Sequence, residues 1–286
     1  MLPTFVIGLR EGLEAALIVG IVAAFLRQRG RSDALRLVWL GVAVAIAACA
    51  VVAVGLQLFS ASLPETQQEI LETVVAVVAV AMVTYMVVWM RRNSRGLRHD
   101  LELAASSALA TGTAWALVGM AVLAVLREGF ETAVFLLAAF NESDSPVAAA
   151  FGAVLGVGAA CVVGYGIYRG GVRINLGRFF RVTGVVLVLV AAGLLASAIH
   201  SAEEAGLIGF GQTQLADLSW LLQPGSMLSA LLTGVLGVQP EPTAIELVGW
   251  LLYLVPMLLI VLWPAARRVT PPQEPATSAA VAAGER

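Results

Sequence analysis

Seven apolar runs divide the chain, at about 3–26, 36–59, 70–90, 114–140, 147–168, 180–199 and 246–263. Each is near the length, about 20 residues, that crosses the hydrocarbon of a bilayer. A backbone in lipid must satisfy its own hydrogen bonds, which leaves only helices and closed barrels. These runs are too long, and alternate too little, for barrel strands. The expectation is an all-α polytopic membrane protein with seven transmembrane helices in one domain, 1–268. The tail over 269–286 is rich in Pro, Ala and Ser, has no core-forming pattern and reads as disordered and cytoplasmic.

Composition narrows the class further. Of 286 residues, 59% are hydrophobic and 13% charged, with a mean hydropathy of +0.90. A soluble domain carries about 25% charged residues. This excludes a soluble globular protein, a disordered chain, a coiled coil and a nucleic-acid binder. Two cysteines and two histidines exclude a disulfide scaffold, a zinc-finger frame and a membrane haem protein with two bis-histidine sites. The first run begins Met1-Leu2-Pro3 without a basic flank and holds Arg10, Glu11 and Glu14, unlike a cleavable signal peptide.

All 17 basic residues are arginine, and their positions set an orientation. Arg27, Arg29, Arg31 and Arg36 lie between runs one and two, and Arg91, Arg92, Arg95 and Arg98 follow run three. Arg169, Arg173, Arg178 and Arg181 join runs five and six, and Arg267, Arg268 and Arg286 follow run seven. The positive-inside rule makes these regions cytoplasmic, with the N-terminus outside and the C-terminus inside. The other side holds Glu65, Glu69, Glu142, Asp144, Glu203, Glu204, Asp217 and Glu241. Residues 218–238 are moderately apolar but split by Pro224-Gly225. An eighth span there would put Arg267 and Arg268 outside, so the segment reads as an external loop, re-entrant or interfacial.

Only two basic residues fall inside runs and away from these regions, and both open the same pattern. Arg10-Glu11-Gly12-Leu13-Glu14 sits in run one, and Arg127-Glu128-Gly129-Phe130-Glu131 in run four. A charge at such depth costs about 2.5–3.5 kcal/mol on the insertion scale, so the clusters must face the bundle interior or a wet cavity. Glu11 with Glu14, and Glu128 with Glu131, are i and i+3 and share a helix face. Gly12 and Gly129 let a neighbouring backbone approach closely. Arg10 and Arg127 tune charge and can hold a carboxylate bidentately. Four carboxylates against two guanidiniums leave a net −2, which suits a hard cation with oxygen ligands. The structural alternative is a pair of buried salt bridges that fix helix register; the duplication weighs against it.

Run one crosses inward and run four outward. The chain therefore reads as two inverted three-helix repeats plus a seventh helix, a layout that places a site at mid-membrane. Cys49 and Cys161 hold corresponding places in runs two and five as small packing residues. Glu69 and Glu72 form another i, i+3 pair at the outer mouth of run three. Glu203 and Glu204 follow His200 at the outer end of run six. These are solvated acids or a cation-collecting funnel. Met82, Met86 and Met90 form a stripe that reads as a packing face or a soft-metal path. Trp39, Trp89, Trp115, Trp250 and Trp263 lie near run ends as interfacial anchors.

The paired Arg-Glu-Gly-x-Glu motifs in runs one and four resemble those of the oxidase-dependent iron permease family, most closely its bacterial branch. The resemblance extends over about residues 1–265. It takes in Glu69-x-x-Glu72, Trp89-Met90-Arg91, the Tyr168 to Phe180 loop and the Glu204-Ala205-Gly206 turn. It implies an iron uptake permease of the cytoplasmic (inner) membrane, with iron as transported substrate and no permanently bound cofactor. Iron would be handled as ferric iron after oxidation by a periplasmic or extracellular oxidase or peroxidase, with an accessory iron-binding protein. By that resemblance Glu11, Glu14, Glu128 and Glu131 are metal ligands, with Glu69, Glu72 and Glu204 added, Arg10 and Arg127 tuning charge, and Gly12 and Gly129 packing helices. The carboxylates alone leave open a transporter or channel for another cation or for protons. More remote is a membrane di-metal carboxylate enzyme, which usually adds Glu-x-x-His motifs; neither His99 nor His200 follows a glutamate by three within a run.

Overall fold

The computed structural model describes residues 1–28, 30, 32–93, 114–141, 143, 145–168, 176–209, 211, 213–214, 232–233, 236–239 and 241–263. Seven helices account for most of them: α1 (Leu2–Gln28), α2 (Ser32–Ala61), α3 (Glu65–Asn93), α4 (Ala114–Asn141), α5 (Pro146–Tyr168), α6 (Leu176–Glu204) and α7 (Ala244–Leu262). Each of the first six contains one of the apolar runs, and α7 covers all of the seventh but Trp263, its C-cap. The tail, most of the 218–238 segment, and Arg95, Arg98, Arg169 and Arg173 lie outside the described residues.

Local chemistry sets several boundaries. Pro146 opens α5, where a missing N–H is no loss. Thr243 caps α7: its Oγ1 accepts from Glu246 N at 3.4 Å, while Glu246 Oε2 accepts from Thr243 N at 3.2 Å. α6 ends in a Schellman turn, with Gly206 N donating to Glu203 O and Leu207 N to Ala202 O. That turn needs a left-handed residue, and Gly206 supplies φ +73°. The Glu204-Ala205-Gly206 motif therefore has a structural reason to end in glycine.

Small residues set helix direction and packing. Along α1 and α5 the close approaches run in step: Gly152 against Met1 and Thr4, Gly156 against Phe5 and Leu9, Ala160 against Gly12, and Gly164 against Ala16. The two helices are parallel and nearly in backbone contact, as small-residue spacing allows. α2 and α4 are parallel in the same way, with Gly41 against Val122 and Cys49 against Gly129. α3 packs on α6, and α6 on α7.

Two apolar clusters form the interior. One joins Val6 and Ile7 of α1, Ala79, Val80, Val83, Met86 and Val87 of α3, Val134, Phe135, Ala138 and Ala139 of α4, Leu187, Val188, Val190, Ala191, Ala192 and Leu194 of α6, and Leu254, Met257 and Val261 of α7. The other joins Val19, Val22 and Leu26 of α1, Ala34, Val38, Val42 and Ala45 of α2, and Val118, Ala121 and Val125 of α4. α1 enters the first cluster with its N-terminal half and α4 with its C-terminal half, so these two run antiparallel. Met86 and Met90 are buried and Met82 packs on the first cluster, so the methionine stripe is a packing face.

α2, α3, α5, α6 and α7 are long and apolar enough to cross a membrane. α1 and α4 have the length, but each carries three charges near its middle. Large apolar side chains such as Val51, Leu58, Val162 and Leu252 are exposed, as lipid-facing positions are. Residues 236–238 lie deep against α6. Gly237, at φ +63°, touches the Gly193 backbone, and Trp250 Nε1 donates to Leu236 O at 2.8 Å. Gly193 is roughly three helical turns back from Glu204. Trp250 thus pins this segment as well as marking a run end.

Candidate functional site

The six motif charges fall in the layer between the two apolar clusters. On α1 they follow Val6 and Ile7 and precede Val19; on α4 they follow Val125 and precede Val134. The antiparallel α1–α4 packing brings them together. Glu11, Glu128 and Glu131 each place a carboxylate oxygen within 4.8 Å of the others. Two oxygens on opposite sides of one ion would be roughly 4–5 Å apart at ordinary cation–oxygen distances. Glu14 lies outside that three-carboxylate group; its Oε1 is 3.4 Å from Arg10 Nη2.

The arginines are not equivalent. Arg10 is 1% exposed and forks between two carboxylates, Nη1 to Glu11 Oε1 at 3.3 Å and Nη2 to Glu14 Oε1 at 3.4 Å. It bridges its own motif instead of gripping one carboxylate with both nitrogens. Arg127 Nε meets Glu131 Oε1 at 2.9 Å, with its side chain 56% exposed. Glu11 Oε2, Glu128 Oε2 and Arg10 Nε are buried without a hydrogen-bond partner among the described residues. Carboxylates left so close and so dry repel one another until a proton or a cation joins them.

The motif glycines sit at the close helix contacts. A Cβ on Gly12 would come 2.9 Å from Ala160 Cβ on α5, and one on Gly129 would come 2.7 Å from Cys49 Sγ on α2. Both contacts set a motif glycine against a small residue of a neighbouring helix. The partner of Gly12 is Ala160; Cys161, one position on, is exposed. The two cysteines are thus not equivalent neighbours of the site.

The other sequence-derived residues lie elsewhere. Glu69 and Glu72 are half-buried in the first two turns of α3, where Gln68 Nε2 donates to Glu72 Oε1 at 3.0 Å. Neither enters a three-ligand group among the described residues. Glu204 is exposed, 3.5 Å from His200 Nε2. The group formed there is His200, Glu203 and Glu246. Glu246, 2% exposed on α7, was not singled out by sequence. Its signal was an acid three residues after a threonine that opens an apolar run.

The Iron permease FTR1 family matches over residues 1–266. The chain belongs to that family. It is 42% identical over 266 residues to the ferrous iron permease EfeU of Escherichia coli O6:K15:H31, covering 92% of this chain and 96% of that protein. The Yersinia pestis ferrous iron permease EfeU is 41% identical over 283 residues, covering 95% and 100%. That of Shigella sonnei is 42% identical over 261 residues, covering 91% and 94%. No solved structure matches. The chain is therefore a multi-pass membrane permease for iron and not an enzyme.

Proposed function

We propose that this iron permease carries its substrate through a site built by Glu11, Glu14, Glu128 and Glu131, with Arg10 and Arg127 setting the charge and Gly12 and Gly129 setting helix spacing. The observation that carries the reading is the convergence of Glu11, Glu128 and Glu131 from two antiparallel helices within 4.8 Å, between two apolar clusters. The ion pairs Arg10–Glu11, Arg10–Glu14 and Arg127–Glu131 each stay within one motif, and such pairing does not require carboxylates of the two motifs to face one another as these do.

The packing supports two inverted three-helix repeats, α1–α3 and α4–α6, followed by α7. Exchanging the halves turns the α1–α5 contact into the α4–α2 contact and leaves α1–α4 and α3–α6 as they are. Odd helices α1 and α5 are parallel, even helices α2 and α4 are parallel, and α1 opposes α4, as seven successive crossings require. The permease domain is then 1–268. The Gly193–Gly237 contact supports a re-entrant end to the 218–238 segment. The arginine distribution supports insertion in the cytoplasmic membrane with the N-terminus outside.

Charge balance favours Fe²⁺ at the central site: two formal charges cancel the net −2 of the clusters, and a trivalent ion would leave one uncompensated. The names of the relatives, ferrous iron permeases, support the same state, whereas the motif resemblance leads to ferric iron. That second reading is favoured by the all-oxygen donor set, which suits a hard ion. It would bring in an external oxidase or peroxidase and an accessory iron-binding protein. Radiolabelled uptake into proteoliposomes holding only this protein separates them. Flux with reduced iron and none with ferric citrate, with or without a pH gradient, is the expected result. Flux of neither state would overturn the proposal that these four glutamates alone make a path.

A further inference from the structure

Where α6 ends and α7 begins, His200, Glu203 and Glu246 converge on one point. His200 Nδ1 lies 2.9 Å from Glu246 Oε1, and its Nε2 3.5 Å from Glu204 Oε1. One ligand atom each from His200, Glu203 and Glu246 falls within 4.8 Å of the other two. Glu203 Oε2 accepts from Thr243 Oγ1 at 3.3 Å, while Glu203 Oε1 is buried with no hydrogen-bond partner among the described residues. His200 and Glu203 open onto a cavity of about 460 Å³ whose other walls are Glu204, Gln214, Gln239, Glu241 and Thr243. No arginine is among its lining residues within the described part of the chain.

Helix capping explains only part of this. The capping box uses Glu246 Oε2 and leaves Oε1 for His200. A cap requires neither an imidazole nor a second carboxylate with an unpaired buried oxygen. We propose that His200, Glu203 and Glu246 form a second cation site, for a divalent transition-metal ion, at the mouth of the path to the paired motifs. An imidazole nitrogen with two carboxylate oxygens selects a first-row divalent ion over an alkali ion or Mg²⁺, which an all-oxygen cluster alone does less well. Glu204 is a positioning residue: a carboxylate on the second ring nitrogen fixes the tautomer and ring orientation of a metal-bound histidine. The cavity leaves room for the waters that complete the shell, so an arriving ion sheds its hydration in two stages. The proposal rests on the permease reading only for its place on the path; binding is measured without transport.

The test uses the purified full-length protein in nanodiscs with Mn²⁺ as probe. The chain has two histidines, His99 and His200, so a nitrogen ligand is assignable by substitution. Pulsed electron paramagnetic resonance should show ¹⁴N coupling to bound Mn²⁺ in the wild type and in H99Q, and none in H200Q. E203Q and E246Q should each weaken that binding about tenfold or more. Glutamine keeps the N3 role in the capping box, and unchanged melting temperatures show that the fold is intact. The proposal is overturned by absent ¹⁴N coupling in the wild type, by coupling that persists in H200Q, or by wild-type affinity in E203Q and E246Q. These outcomes are independent of flux: a failure of the central site would appear as normal transport in its own glutamate variants.

Discussion

Glu11 on α1 and Glu128 on α4 are both buried, and their carboxylates meet across the contact between two antiparallel helices, with oxygens within 4.8 Å. Neither helix alone can make this site. In the proposed site Glu14 and Glu131 supply the remaining carboxylates, each paired with the arginine of its own motif. We predict that E14Q and E131Q each reduce iron uptake in proteoliposomes to the level of empty liposomes while the protein still inserts. Glutamine keeps the shape and removes the charge that replaces the ion's hydration. Near wild-type rates in both variants would rule out a four-carboxylate site.

The arginines should differ. R10A removes a fully buried fork that compensates two carboxylates, and breaking such a pair costs about 3–5 kcal/mol. R127A removes a half-exposed side chain paired with Glu131 and should lower stability less. Lysine at position 10 should rescue only in part, because it lacks the planar fork. Thermal melting of the detergent-purified variants is the readout. Equal losses at the two positions would contradict the asymmetry in burial.

Crowding at the motif glycines gives a paired prediction. G129A places a Cβ 2.7 Å from Cys49 Sγ but 3.3 Å from Cys49 Cβ. The single variant should lose about 1–3 kcal/mol through overpacking. C49A removes the sulfur, so G129A/C49A should recover most of the loss. A160G should likewise relieve G12A. Purely additive melting shifts would show that these contacts do not set the helix spacing.

Much of this was legible in the sequence because it rests on spacing. The seven runs fix seven helices, and two identical charge patterns a helix apart in role must meet inside a bundle. The i, i+3 glutamates needed no structure to share a face. Other features depend on which way a helix turns, and spacing is silent there. Arg10 and Arg127 are alike in sequence, yet one is buried and the other half-exposed. Ala160, not Cys161, faces Gly12, a one-residue difference in rotation. Glu246 drew no reading from the sequence, and only the return of α7 against α6 sets it beside His200.

Orientation is checked by labelling. With Cys49 and Cys161 changed to alanine, L207C should react from outside the cell with an impermeant thiol reagent, since Leu207 is exposed beyond the end of α6. A cysteine at Arg95 or Arg173 should not. Labelling of either arginine site from outside would reverse the proposed orientation and move the His200 cavity to the cytoplasmic face.

Glu69 and Glu72 test whether acids outside the ligand groups act by field or by contact. They lie near the start of α3 on the arginine-free side, half-buried, with Glu72 already accepting from Gln68. A pair so placed raises the local cation concentration at the mouth, and such focusing weakens as salt shortens the screening length from about 8 Å to about 3 Å. E69Q/E72Q should therefore raise the half-saturation concentration for iron more than it lowers maximal flux. The defect should shrink at high salt, where the wild type loses its own steering. If the double variant instead binds iron normally but shows no flux at saturating metal, these residues contact the ion along the path. Glu69 and Glu72 would then join the four motif glutamates as transport residues.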